Sequence, residues 1–172
     1  GVVGKIRVTL YDLYHDLPDN IDVLLVGPNG AAYVLQGDAG GPFAIDVDDT
    51  VTLTFQDNAT QVLPDSTMLM RGKYKPTNWE PVPNFPFPAP AGPYVLPGSS
   101  LARPVEQSMF GTFGLVSPNG VWRLYVRDDA GLPAAPNVNV IGEIAGGWGL
   151  EFLAPTSSGV SVSGRVMTAA GQ

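Results

Sequence analysis

The chain has no cysteine, a single histidine and no cluster of Lys or Arg, and each gap closes off a class of function. Without cysteine there are no disulfides, no zinc–thiolate sites and no thiol nucleophile. With His15 as the sole imidazole, the common zinc constellations are excluded as well. Charged residues make up only 15% of the 172, and acidic ones prevail, 16 Asp and Glu against 9 Lys and Arg, for a net charge of −7. A surface of that sign repels phosphate backbones and anionic lipid, so no nucleic-acid partner is expected. No apolar run reaches the roughly 18 residues of a membrane span, so no membrane insertion is expected either. The opening stretch Gly1 to Leu10 does not read as a signal peptide, so export implies a signal removed or lying upstream.

What is abundant is turn chemistry and alternation. The chain holds 21 Gly and 17 Pro, and most of them punctuate β-rich runs. Ile6, Val8 and Leu10 fall on one face of a period-2 segment, the pattern of a half-buried strand. Ile21 to Val26 is apolar except for Asp22, which fits a central strand covered on both faces. Pro28-Asn29-Gly30 supplies a turn, after which Ala31 to Leu35 returns as the hairpin partner. Val51 to Phe55 alternates as a strand. Val121 to Val126 follows a second Pro-Asn-Gly turn and places Trp122, Leu124 and Val126 on one face, and Gly146 to Phe152 opens a further strand. Between Pro76 and Pro97 there are eight prolines, too many for a central strand. That stretch reads as an ordered wrap, with Trp79, Phe85, Phe87 and Tyr94 to pack it onto the body. No long 3.6-residue period with caps occurs. The fold class is therefore all-β: a jelly-roll-like antiparallel β-sandwich with a long Pro-rich ordered loop and few or no helices.

Three segments carry a resemblance. His15 to Gly30 (HDLPDNIDVLLVGPNG), Asn119 to Asp129 (NGVWRLYVRDD) and Gly142 to Phe152 (GEIAGGWGLEF) occur in that order, with Gly72 to Thr77 and Phe87 to Pro90 as further echoes between the first two. Together they resemble the P-like (proprotein convertase P domain-like) jelly rolls of bacterial surface and secreted proteins. Asn20 stands where that family often has Asp, and Gly149 where Ser is common. The resemblance implies a P-like module over residues 1–154. Residues 155–172 form a linker and an extra strand, in which Val160 to Val166 resembles the opening strand of a carboxypeptidase regulatory-like domain. It further implies an extracellular or cell-surface location and a non-catalytic structural or adhesive role. The alternative within the same family is an accessory P domain that stabilises or targets a secreted protease. A carbohydrate-binding module using Trp79, Tyr94 or Phe85 is a third reading. The expected partners are other copies of the chain or neighbouring domains, with strand addition by the tail as the route to self-assembly.

The residues offer little for catalysis. There is no Gly-x-Ser-x-Gly elbow to pair with His15, and Ser99 and Ser100 stand in a Gly/Pro loop with nothing to activate them. No catalytic residue is assigned. Carboxylates remain, and hard oxygen ligands converge readily where loops meet at the end of a sandwich, so calcium is the cofactor to expect. The candidate ligands are Asp19, Asp22, Asp38 and Asp57. The plainer reading of the same residues is solvated turn and strand-edge charge that discourages aggregation.

Overall fold

The computed structural model describes residues 4–80, 83–98, 107–115, 117–129, 141–153 and 163–166. Along the chain lie β1 (Lys5–His15), a 3-10 turn (Pro18–Asn20), β2 (Ile21–Val26), β3 (Ala32–Gly37), β4 (Val51–Gln56) and β5 (Gln61–Val62). They are followed by β6 (Gly72–Lys75), β7 (Thr77–Asn78), the helix α1 (Met109–Phe113), β8 (Arg123–Asp128), β9 (Gly142–Ile144), β10 (Trp148–Leu153) and β11 (Ser163–Val166). The strands form two sheets, as expected of an all-β sandwich. One runs β11-β10-β1-β4-β6-β5, with β9 also paired to β1; the other runs β7-β3-β2-β8.

The core lies between the sheets. Ile6, Val8 and Leu10 of β1 meet Val23 and Leu25 of β2 and Leu53 and Phe55 of β4 there. The expected alternation in β1 holds up to Leu10 and then changes phase. Leu10 registers with Leu53 but Leu13 with Val51, so β1 carries one extra residue, and Asp12 within it has φ 54°. This bulge turns Leu13 and His15 inward, although they have the opposite parity from Leu10, and it lets the end of β1 pair with β9 instead of β10.

β2 is the strand the apolar run suggested, flanked by β3 and β8 and buried at all six positions. Ile21, Val23 and Leu25 face the central core, while Leu24 and Val26 face outward into a second apolar cluster with Val34, Phe85 and Leu96. Phe85 and Leu96 belong to the Pro-rich segment, which therefore packs over the outer face of the β2–β3 sheet. It is tied to the edge strand β3 at both ends. Thr77 and Asn78 pair with Gln36 and Gly37, and Val95 exchanges backbone hydrogen bonds with Ala32 and Val34. A proline-dense segment cannot supply a full ladder, so it fastens by these short contacts and by its aromatic side chains.

Several findings differ from the sequence expectation. Three short pairings, β3 with β7, β4 with β6 and β5 with β6, are parallel, so the sandwich is not antiparallel throughout. Val126 is exposed and only Trp122 and Leu124 pack on the core. Among the described residues the tail strand β11 pairs with β10 of its own chain, Ser163 opposite Leu153 through Val166 opposite Leu150.

Candidate metal centre

At one end of the β2–β3 sheet, under the start of the Pro-rich segment, carboxylates converge. Asp22 is the second residue of β2, and its neighbours Ile21 and Val23 point into the central core, so strand alternation sends its side chain to the outer face. Asp38 follows the last residue of β3. Its φ of 46° is a left-handed conformation that Asp tolerates better than most residues, and it starts a turn completed by Gly40 and Gly41, both at positive φ. Glu80 comes from the Pro-rich segment just beyond β7. One carboxylate oxygen from each of Asp22, Asp38 and Glu80 lies within 4.8 Å of the others. A calcium ion binds oxygens at about 2.3–2.6 Å, so ligands of one ion are at most about 5 Å apart, and the three fit that span.

The polar satisfaction around these groups is poor in a specific way. Asp22 is 0% exposed, yet among the described residues neither of its carboxylate oxygens has a hydrogen-bond partner. The Glu80 Oε1 and Asn78 Oδ1 atoms are equally unpartnered. Asp22 and Glu80 approach closely enough to share a proton, but as two carboxylates they offer each other only acceptors. Among the described residues the cation paired with Asp22 is Arg127, opposite it in the β2–β8 pairing, with Nη1 3.7 Å from Asp22 Oδ2 and 3.7 Å from Asp129 Oδ2. At that distance it is an ion pair without a hydrogen bond. Four carboxylates, Asp22, Asp38, Glu80 and Asp129, thus share one guanidinium.

Burial and mutual repulsion both show in the acidities. Burial holds the Asp22 carboxyl far above the ordinary carboxylate range, with the Glu80, Asp129 and Asp38 charges adding to it. Burial, then Glu80, Asp129 and Asp19, push Asp38 up to about 6. Glu80 is raised by burial too, and by Asp129. A buried charge with no donor costs several kcal/mol, so such a site calls for protons or for a metal cation. An all-oxygen donor set of carboxylates with an amide carbonyl suits a hard cation such as Ca²⁺.

Backbone approach makes room for this arrangement at Gly37. A Cβ there would collide with Asn78 Oδ1 and come within 3.3 Å of Asp22 Oδ1, so the absent side chain is what lets the amide oxygen and the carboxylate face each other. Asn78 Nδ2 donates to the Glu80 carbonyl, leaving Oδ1 as its free acceptor. Gln36 is also buried and unpartnered, but it registers with Val23, whose side chain lies in the central core, and we assign it no part in the centre.

Of the four ligands expected from sequence, the structure brings Asp22 and Asp38 together. Asp19 stands beside them and raises Asp38, but its Oδ1 accepts from the Gly41 N–H at 3.0 Å, so it braces the turn that carries Asp38. Asp57 lies elsewhere. Its two oxygens accept from the Met109 and Phe110 N–H groups at 2.8 and 2.9 Å, so it holds the start of α1. Glu80 and Asn78 were missed because the Pro-rich run has no period to place them. In sequence, Asn78 and Glu80 are only parts of a Pro-rich wrap.

The other sequence candidates are structural in their contacts. His15 is buried, its Nδ1 accepts from the Leu17 N–H, and its Nε2 lies 3.5 Å from Asp128 Oδ2. Among the described residues, the lining of the groove of about 400 Å³ beside it includes no Ser, Thr or Lys. Phe85 is buried, while Trp79 donates from Nε1 to the Leu63 carbonyl and Tyr94 from its hydroxyl to the Pro90 carbonyl. Of the three aromatics named for sugar binding, Phe85 is thus enclosed, whereas Trp79 and Tyr94 are half-buried. Ser99 and Ser100 lie outside the described residues. Comparison of the chain with models of protein families, with curated proteins and with solved structures finds no match.

Proposed function

We propose that the chain is a non-catalytic structural module of an extracellular bacterial surface protein, and that its sandwich is locked by a calcium ion held by Asp22, Asp38 and Glu80. The observation that carries the reading is Asp22, a fully buried carboxylate with both oxygens unpartnered among the described residues, facing two further carboxylates. Extracellular calcium is abundant enough to fill a modest site, which suits a module that works outside the cell. The surface-protein role rests on the resemblance to P-like jelly rolls and on the acidic, cysteine-free composition. No helix among the described residues is long and apolar enough to cross a membrane. Self-assembly by strand addition would mean exchange of β11 between copies, because β11 already completes the edge of its own sheet at β10.

Thermal unfolding tests the reading. At calcium about a hundredfold above its dissociation constant, linkage supplies about 2.7 kcal/mol. For a chain of this size that raises the melting temperature by roughly 5–11 °C over the chelator-treated protein. Asp22→Asn is expected to abolish the rise. An equal melting temperature in calcium and in chelator would refute the calcium lock.

A further inference from the structure

The centre joins parts of the chain that are otherwise held together weakly. Asp22 belongs to the middle of a sheet and Asp38 to the turn after β3, whereas Asn78 and Glu80 belong to the Pro-rich segment crossing that sheet. On its way out the segment has the two-residue pairing of β7 with β3, the Trp79 N–H donated to the Gly37 carbonyl, and the bonds of Thr77 Oγ1 and Trp79 Nε1 to the Leu63 backbone. On its return it has the Val95 contacts and the packing of Phe85, Tyr94 and Leu96 on the outer face. Phe87, between the two anchors, is 94% exposed.

We propose that the bound cation is the fastener of this strap: it clips Glu80 and Asn78 to Asp22 and Asp38, and its removal releases residues 78–80 and 83–95 from the edge and outer face of the β2–β3 sheet while the sandwich stays folded. The inference rests on the calcium reading above. Without a cation, Asp22, Asp38, Glu80 and Asp129 crowd the Arg127 guanidinium, and once they lose their protons the repulsion has to relax somewhere. Asp22 cannot move without breaking the ladder between β3 and β8. Asp38 is bounded by a turn held through the Gly40 N–H to the Pro64 carbonyl and the Gly41 N–H to Asp19. Glu80 is the acid on the least anchored element, so the strap is where the strain leaves. Opening it would bare Leu24, Val26 and Val34 together with the free hydrogen-bonding edge of β3, a surface able to accept another strand.

Hydrogen exchange on the full chain, in calcium and in chelator, tests this, with calcium occupancy measured by equilibrium dialysis on the same samples. The reporters are the Trp79 and Val95 amides, which donate across the strap–β3 junctions, and the references are amides within the β1–β4 pairing. Chelation is expected to speed exchange at the strap amides at least tenfold more than at the references. Glu80→Gln in chelator, which removes the charge facing Asp22 and Asp38 and supplies an amide donor in its place, is expected to keep the strap amides more protected than in the chelated wild type and to leave the reference amides unchanged. If calcium binds and the strap amides do not respond, or respond only in step with the references, the fastener idea is overturned while the calcium site stands. If dialysis finds no bound calcium, both fall together.

Discussion

Asp22 is an exception to nearly every local rule around it: an ionisable side chain with no exposure, in a strand whose other five residues are apolar and buried. A buried acceptor without a donor costs about 1–3 kcal/mol, and more when charged. Asp22→Asn removes the charge and gives Glu80 a donor. At pH 8 in chelator the variant is therefore expected to be more stable than wild type by about 1–3 kcal/mol, with the order reversed in saturating calcium; denaturant unfolding under both conditions reads this directly. A carboxylate kept only for solubility would show no such crossing. Trp122 is the opposite case, a residue whose part is plain packing. Its ring lies 5.1 Å from that of Phe113 and 5.1 Å from that of Phe152, and its Nε1 donates to the Pro118 carbonyl. Trp122→Ala is expected to cost about 3–5 kcal/mol in the same assay, without touching calcium affinity.

At the level of elements, what could be read from the chain was what depends on neighbours in sequence. Ile6, Val8 and Leu10 alternate, and the strand is there; Ile21 to Val26 is apolar, and the strand is central. The change of phase at Asp12 could not be read, because it is fixed by which residues of β4 and β9 lie opposite. Asp57 shows the same limit at a helix. Ser108 caps α1 in the expected local way through the Gly111 N–H, but the first two helical amides are taken by an acid 52 and 53 residues earlier in the chain. Asp57→Ala is expected to destabilise by about 0.5–2 kcal/mol and to leave the calcium-induced rise in melting temperature intact. Loss of that rise would return Asp57 to the ligand set. Half of the candidate centre was legible for a related reason. Asp22 stands out against an apolar strand and Asp38 against a Gly-Gly turn, whereas Glu80 is one polar residue in a run of prolines and only the fold brings it to them.

For the whole molecule, the proposed centre would make stability depend on pH and calcium together. Asp22, Asp38 and Glu80 are all harder to ionise in the folded chain than in the unfolded one, where carboxyls titrate near 4. The folded state therefore holds its protons longer. The stability this brings is fully present below about pH 4 and is lost as pH rises through about 6, where Asp38 titrates, and above it for the more deeply buried Asp22. Melting temperature in chelator is expected to fall from pH 5 to pH 8. Saturating calcium, which takes the place of the protons, should remove most of that fall above pH 6. Parallel curves with and without calcium would place the pH dependence in the general charge of −7 instead. The strap extends the same coupling to the surface, since a chelated chain with the β3 edge bared should self-associate faster, which light scattering over a concentration series would register.

Equilibrium dialysis of the chelator-treated full chain against calcium bears most directly on the centre. Wild type should retain one calcium ion per chain and Asp22→Asn none. A wild-type chain that retains no calcium at millimolar concentration, or a variant that retains as much as wild type, would show that Asp22, Asp38 and Glu80 hold protons and no metal.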